Sequence, residues 1–581
     1  MQNIKTPGVY IREVSRLPAS VAPVSTAIPA FTGYTEKAVK NGENVINEPV
    51  RITSMLEFTE IFGNPFDENY GLDLSDGDDG TEFTITGNPS PYLLSYALQM
   101  FYANGGGPCY VVSVGLYDED PSSASIDREE LQAGLEALEL EDEPTLLVIP
   151  EAVMLSTADR TRLHNDMLAQ CDELKDRFAI IDALTDGDDD PVADADAFRD
   201  EVGMSHLSYG AAYYPSLKTA IPRYYRDETV IITDNRGNPA EGDLHNFSLA
   251  RMQFGSSNAV GKIVITNNNN LWTDDGDDDT NDLFTVNGQE FRAGAHFDIG
   301  NGNASTAENL KRVLEENSAV SDEATFERVA NVIFITLRDD EASGENFSLG
   351  YEDVTSSVGA RISDTRLRRI APERELYQSV KSALAGRRVT LYPSSAMAGI
   401  YARVDRDRGV WKAPANVSVS RVSEPTVLVT NDQQESLNVD ANTGKSVNAI
   451  RRFTGKGTMV WGARTLAGND NEWRYVPIRR FFIFMEQSIK KATERVVFEP
   501  NDANTWSRTR GMIENFLTNL WRDGAIAGAT PEDAFFVKVG LGETMTSLDI
   551  LEGRLIIEIG VAAVRPAEFI ILRFMHKLQE S

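Results

Sequence analysis

The sequence predicts an α+β multidomain protein, with an α/β portion interrupted by a strand-rich insertion and a lone strand near each end. Three observations predict it. Strand and helix periodicities alternate from Ala27 to Ile181 and resume from Leu376 to Tyr392, the pattern of a parallel sheet covered by helices. Short strand signals dominate the interval from about Arg226 to Asp364. The stretch from Val476 to Leu578 carries two amphipathic helices and then three strand signals, the last of them apolar on both faces. A length of 581 residues suits about three or four domains.

The elements follow in order. Thr6 to Val14 reads as a short strand, with Val9 and Ile11 on one side and Tyr10 and Arg12 on the other, and Leu17 to Pro23 as an extended, proline-stiffened tether. Ala27 to Tyr34 is a first core strand. Asp73 to Gly80 is expected to be an acidic loop. Tyr92 to Ala103 is a helix ended by Asn104-Gly105-Gly106-Gly107, and Cys109 to Val114 a strand. A helix over Asp127 to Leu140 carries Asp127 and Glu130 at capping-box spacing. Thr145 to Ile149 is a buried strand, Thr157 caps a helix through Leu174, and Phe178 to Ile181 is a strand. The insertion offers strands at Thr229 to Thr233, Lys262 to Thr266, Leu283 to Val286 and Val332 to Leu337, and a helix at Thr306 to Glu316. After it come a helix over Leu376 to Leu384 and a strand over Arg388 to Tyr392.

In the last stretch Ile478, Phe481, Phe482, Met485, Ile489 and Ala492 share one helical face, with Arg479, Arg480, Glu486, Gln487, Lys490 and Lys491 on the other. Trp506, Ile513, Phe516, Leu517, Leu520 and Trp521 form a second stripe, stopped by Gly524. Strands are expected at Ala534 to Val539, Arg554 to Val564 and Glu568 to His576. In the final strand Phe569 and Ile571 point one way, and Ile570, Leu572 and Phe574 the other. A strand that needs burial on both faces, lying at a chain end, suits addition to a neighbouring subunit's sheet, and so does a strand on a tether at the other end. Folding back into the same domain is the plainer alternative.

The net charge of −34 is unevenly placed: 64 acidic and 23 basic residues precede Arg361, against 25 and 32 from there on. Nucleic acid is therefore not expected as a partner of the acidic part. No run of about eighteen apolar residues predicts a membrane span, and no basic segment followed by an apolar run predicts a secretory signal. Two distant cysteines, Cys109 and Cys171, suggest a reducing compartment without a disulfide framework.

No motif asks for catalysis. Asn442-Thr443-Gly444-Lys445-Ser446 resembles the end of a phosphate-binding loop, but Val439 stands where its first glycine belongs. Asp186, Asp188 and Asp190 alternate, as do Asp275, Asp277 and Asp279, yet Pro191 and Thr280 occupy the turn position a calcium loop gives to glycine. His164, His206, His245, His296 and His576 show no metal-ligand spacing, and no Gly-x-Ser-x-Gly elbow occurs. Neither a catalytic residue, a metal site nor a cofactor is expected.

Specific motifs do stand out. The opening Thr6-Pro7-Gly8-Val9-Tyr10-Ile11, the stretch Ala27 to Ala38, Asn104-Gly105-Gly106 with Cys109 to Val112, Ala398 to Asp405 with Arg408 to Asn416, Val460 to Leu466, Val497 to Asn501, Gly524-Ala525 and Pro566 to Phe569 resemble the tail sheath proteins of contractile phage tails and related injection systems. The opening is most similar to sheaths of extracellular contractile injection systems. The resemblance spans both ends of the chain and leaves out the insertion. It implies an N-terminal arm and tether at 1–25 and an α/β sheath core drawn from both chain ends, at 26–118 and 393–564, whose tube-facing part is 476–564. It further implies an α/β middle domain at 119–225 and 365–392, an inserted β-rich outer domain at 226–364 and a C-terminal strand arm at 565–581. It implies a subunit that polymerises as stacked hexameric rings around an inner tube and contracts to drive that tube through a target membrane. Strand exchange would use Val9, Tyr10, Ile11 and Arg12 at one end and Phe569, Ile570, Ile571 and Leu572 at the other, and Arg479, Lys490 and Lys491 would meet the tube. The implied partners are further copies of the chain, the inner tube protein, baseplate and terminal cap proteins and paralogous sheath chains, without nucleic acid or direct membrane insertion. Assembly would take place in the bacterial cytoplasm, with the mature chain in a phage tail or a released tail-like particle. The other reading from the residues is a secreted or surface binding protein whose acidic β domain takes calcium or glycan.

Overall fold

The computed structural model describes residues 21–77, 80–118, 125–185, 190–234, 245–254, 258–271, 281–338, 347–353, 359–362, 367 and 373–568. Its centre is a nine-stranded sheet in the order Val417–Ser418, Gly457–Val460, Val447–Phe453, Gly210–Tyr214, Phe178–Asp182, Leu146–Val148, Pro29–Thr35, Cys109–Leu116 and Val50–Ile52. The six inner strands run parallel, and antiparallel strands close both edges. Pro29–Thr35, Phe178–Asp182 and Gly210–Tyr214 are buried at every position, as a strand covered on both faces requires. Phe31 meets Phe101 edge-on at 5.2 Å on one face. On the other face Thr32 lies under Gly134, where an added Cβ would come within 2.5 Å of its methyl. The helices Leu94–Ala103 and Ser394–Arg408 pack closely: a Cβ on Gly399 would sit 2.4 Å from the Phe101 carbonyl oxygen.

This sheet draws strands from the segments expected to be core, 26–118 and 393–564, and from the expected middle domain, 119–225. One hydrophobic cluster runs through all of them, from Ile28 to Ile483. The expected strand at Arg388–Leu391 is present, but it joins Leu217–Pro222 and Val422–Pro425 in a separate antiparallel sheet.

Three corrections to the sequence reading concern an acidic stretch and two helix starts. Asp73 to Gly80 is not a loop, because Gly71–Gly77 and Gly80–Thr86 form an antiparallel hairpin. Leu72 and Leu74 alternate with Asp73 and bury, which overrides the local charge. This hairpin pairs in parallel with Ile231–Asp234, so part of the expected insertion belongs to a small domain with its own core. That core holds Leu72, Leu74, Ile232, Met252, Val380 and Leu384. The helix Thr157–Leu174 is capped by Ser156, whose side chain accepts from the Asp159 amide, and Thr157 is its first residue. Glu130 does not close a capping box at Asp127; its carboxylate takes the Tyr34 hydroxyl at 2.5 Å.

The strand-rich unit has a separate core that runs from Ala259 to Leu367. It holds the four-stranded sheet Ala324–Val329, Val332–Leu337, Val260–Ile265, Ala360–Ile362, the three-stranded sheet Gln289–Arg292, Leu283–Val286, Leu349–Glu352, and the helix Asn303–Glu316. At the C-terminal side, Val476–Thr493 and Ala503–Arg522 pack on the antiparallel pair Phe535–Lys538 and Glu558–Val561. No described helix is long and apolar enough to cross a membrane.

Candidate assembly site

The helix Val476–Thr493 starts after Tyr475, and its second residue is Pro477, whose missing N–H costs nothing in a first turn. It serves two cores. Val476 and Ile483 enter the main cluster, while Phe481, Phe484, Met485, Ile489 and Ala492 pack with Met512, Ile513, Phe516 and Leu520. The helix and the residues just before it also hold the first and the last described residues of the chain.

The N-terminal root lies along this helix. Val21 is buried in the C-terminal cluster. The Val24 amide donates to Ser488 Oγ at 3.1 Å, and Ser488 Oγ donates back to the Phe484 carbonyl at 2.7 Å. Arg480 Nη2 donates to the Thr26 carbonyl at 2.7 Å. The same guanidinium makes a bidentate pair with Asp405, at 2.6 and 3.0 Å. Only 3% and 5% of the two side chains are exposed, so the pair is almost wholly dry. Arg480 also lies 4.4 Å over the Tyr401 ring, whose hydroxyl meets that of Tyr213 at 2.7 Å. The chain then enters the sheet at Pro29.

The C-terminal root lies beside the N-terminal end of the helix. Glu568 accepts from Arg464 Nε at 3.0 and 3.2 Å, Arg464 Nη2 at 2.7 Å, Asn438 Nδ2 at 2.7 Å and the Tyr475 hydroxyl at 3.0 Å. Burial alone would raise this carboxyl, but the donors from Arg464 and Asn438 outweigh it and hold it below its ordinary range. Arg464 is built into the body. Asn448, which is 1% exposed, accepts from the Arg464 amide and donates to its carbonyl, each at 2.7 Å, and also donates to Ala212 in the central sheet at 3.0 Å. Arg464 Nη1 reaches the Asn438 carbonyl at 3.2 Å and the Gly468 carbonyl at 3.4 Å.

Between the two roots stands an incomplete sheet. Among the described residues, Phe535–Lys538 and Glu558–Val561 pair only with each other, with a bridge between Ile526 and Ala563 beside them. Val537 is buried, Phe535, Ile559 and Val561 are half covered, and Phe536 is 49% exposed. A sheet of two strands is marginal alone, and its open edges are templates for further strands.

The residues expected to exchange strands, Val9, Tyr10, Ile11, Arg12, Phe569, Ile570, Ile571 and Leu572, lie outside the described residues. Of the expected tube contacts, Lys490 and Lys491 are exposed in the last turn of the helix. Arg479 is buried instead, between the rings of Tyr209 at 3.9 Å and Trp473 at 4.1 Å. Helical periodicity grouped Arg479 and Arg480 with the lysines as a polar face. Packing puts both inside, where aromatic rings and Asp405 accept their charge.

The weak motifs find structural employment. Lys445 is buried and its Nζ donates to the carbonyls of Arg199 and Val202, closing the C-terminal end of the helix Pro191–Glu201. Asp190 caps the start of that helix, accepting from Val192 and Ala193, while Asp186, Asp188, Asp275, Asp277 and Asp279 lie outside the described residues. Among the described residues no His, Cys, Asp and Glu cluster has the form of a metal site. Burial pushes the Cys109 thiol up to about 12 and the Cys171 thiol up as well, so both are inert core groups.

The sequence reading missed Arg464, Glu568, Asp405 and Arg480 as a set. The signal was present: Arg464, Asp405 and Glu568 each fall in one of the family-like motifs.

Residues 468–576 match the family described as the phage tail sheath C-terminal domain. The tail sheath protein of Burkholderia phage BcepMu is 26% identical over 178 residues, which cover 30% of this chain and 36% of that relative. The chain thus matches about a third of that relative's length. Two solved structures extend the likeness over the whole chain. The sheath complex of PVC, an extracellular contractile injection system, in its contracted state is 25% identical with a TM-score of 0.51, covering 99% of both chains. The contracted helical sheath of the anti-feeding prophage is 26% identical with a TM-score of 0.54, covering 99% of this chain and 100% of that one. The resemblance read from the motifs therefore holds: the chain is similar to the tail sheath proteins of contractile injection systems and contractile phage tails.

Proposed function

We propose that the chain is a structural subunit of a contractile sheath and carries out no enzymatic step. One observation carries the reading: residues 21–26 and Glu568 are pinned to the body, and the C-terminal region holds a two-stranded sheet whose outer edges lack strand partners among the described residues. Strands from neighbouring copies complete such a sheet through main-chain hydrogen bonds, with side-chain pockets setting register. The added strands are Val9 to Arg12 and Phe569 to Leu572. Each copy gives to one neighbour and receives from another, so association is heterologous and open-ended, and it builds a helical stack of hexameric rings around an inner tube. Contraction is rigid-body rotation of the bodies, with the exchanged strands kept as hinges. Lys490 and Lys491 face an acidic inner tube, and baseplate and cap proteins end the stack. The whole-chain likeness to two sheaths solved in the contracted state supports this reading.

Negative-stain electron microscopy of the purified chain tests it, alongside a form lacking Met1 to Ser20. Long hollow cylinders from the full chain that disappear on truncation are expected. A monodisperse monomer in both preparations, with the candidate tube protein added as template, contradicts it.

A further inference from the structure

We propose that Arg464, Asn438 and Tyr475 form a carboxylate receptor that fixes the launch point of the C-terminal arm at Glu568, so that the segment after it is presented to a neighbouring copy. The proposal rests on the sheath reading and adds a residue-level device to it.

The geometry is that of a built site. Four donors from three residues converge on the two oxygens of one carboxylate. The Arg464 side chain is only 5% exposed, and its backbone is clasped at both N–H and C=O by the buried Asn448. The receptor is thus rigidly tied to the central sheet, and the guanidinium is held in place before the carboxylate binds. Glu568 contributes the reverse: its side chain is 22% exposed at the rim, on a segment that has no strand of its own. Its hydrogen bonds to the body are made by its carboxylate, and the neighbouring Ala567 is exposed. A rigid socket gripping one side chain of an open segment sets a direction without contributing much to the body's core.

The grip also separates exchange from self-pairing. Val564 and Ala563 run beside Ala525 and Ile526, next to the hairpin strand Glu558–Val561. Without an anchor the following residues could turn back along that strand's neighbourhood. With Glu568 tied to Arg464, across the groove lined by Trp461, Asn438 and Tyr475, the chain is carried off the C-terminal domain and onto the body.

The test uses the full chain with two readouts. A nitroxide placed on Ala567→Cys reports arm-root mobility in the unassembled chain, since Cys109 and Cys171 are buried and do not compete for the label. Sedimentation and negative-stain microscopy report assembly. E568Q keeps the shape and removes the charge. It is expected to lower thermal unfolding of the body only slightly, to mobilise the label and to raise the concentration needed for assembly about tenfold, the size of losing a charge-assisted hydrogen bond. R464K, which keeps the charge but loses the fork, should fall between E568Q and wild type. An immobile label in E568Q, or wild-type assembly despite a mobile one, overturns the proposal. If the wild type forms no sheath, the functional reading falls on its own, and label mobility still decides whether the receptor anchors Glu568.

Discussion

Arg480 and Arg464 hold the two chain ends by opposite means. Arg480 is neutralised within the body by Asp405 and reaches the N-terminal tether only at the Thr26 carbonyl, beside the separate holds at Val21 and Val24. Among the described residues Arg464 has no acidic partner other than Glu568, which lies at the end of the described chain. The first arrangement is a structural bolt that holds a passing backbone. The second is a socket that needs the arm to complete it. Charge placement therefore teaches which root belongs to the fold and which to the arm.

The sharpest way to break this comparison is to remove the counter-charge at each root. Asp405→Ala leaves a dry guanidinium unpaired and should cost about 3–5 kcal/mol, read as a lower denaturant midpoint for the body. Glu568→Ala should cost no more than about 1–2 kcal/mol, because its partner pair lies partly in water. Equal losses would erase the distinction.

Acidity should separate the regions next. Burial lifts Glu151 and Asp182, which receive the amides at the starts of the helices Leu94–Ala103 and Ser394–Arg408, to about 7. The native state keeps these protons in a window where the unfolded chain has released them. Stability therefore falls as pH rises from the ordinary carboxylate range to about 7. Glu568 has the opposite sign: held low by Arg464 and Asn438, its contribution is present above the ordinary carboxylate range and disappears as pH falls through its folded value. Between pH 7 and 5 the body should become more resistant to denaturant; only on further acidification should a label at Ala567→Cys be released. A body that weakens steadily over that first step contradicts the assignment.

The smallest effect on the fold belongs to the exposed lysines. Lys490→Glu with Lys491→Glu should change stability by no more than about 0.5 kcal/mol. Assembly around the tube should nevertheless weaken and lose its salt dependence. Unchanged co-sedimentation with the tube protein at every salt concentration would remove these residues from the contact.

Much of the architecture was legible because apolar periodicity survives in it. The strands Leu283–Val286 and Val332–Leu337 match their expected bounds, and the helix Val476–Thr493 contains the whole expected stripe from Ile478 to Ala492. The hairpin Gly71–Thr86 was hidden because Asp73 and Asp76 dominate its composition, while two leucines carry its burial. The arm roots were hidden for a different reason. Glu568 and Arg464 are 104 residues apart, and Arg480 reads as surface in any helical count although the fold encloses it. Periodicity reports apolar faces; it does not report which charges find each other inside.

The most direct test of strand exchange is a cryo-EM map of the assembled particle, traced through one C-terminal domain. The account predicts that Phe535–Lys538 and Glu558–Val561 gain strands on their outer edges, supplied by the N-terminal segment of one neighbour and the C-terminal segment of another. A domain that keeps two strands, with both segments folded onto their own body, would contradict it.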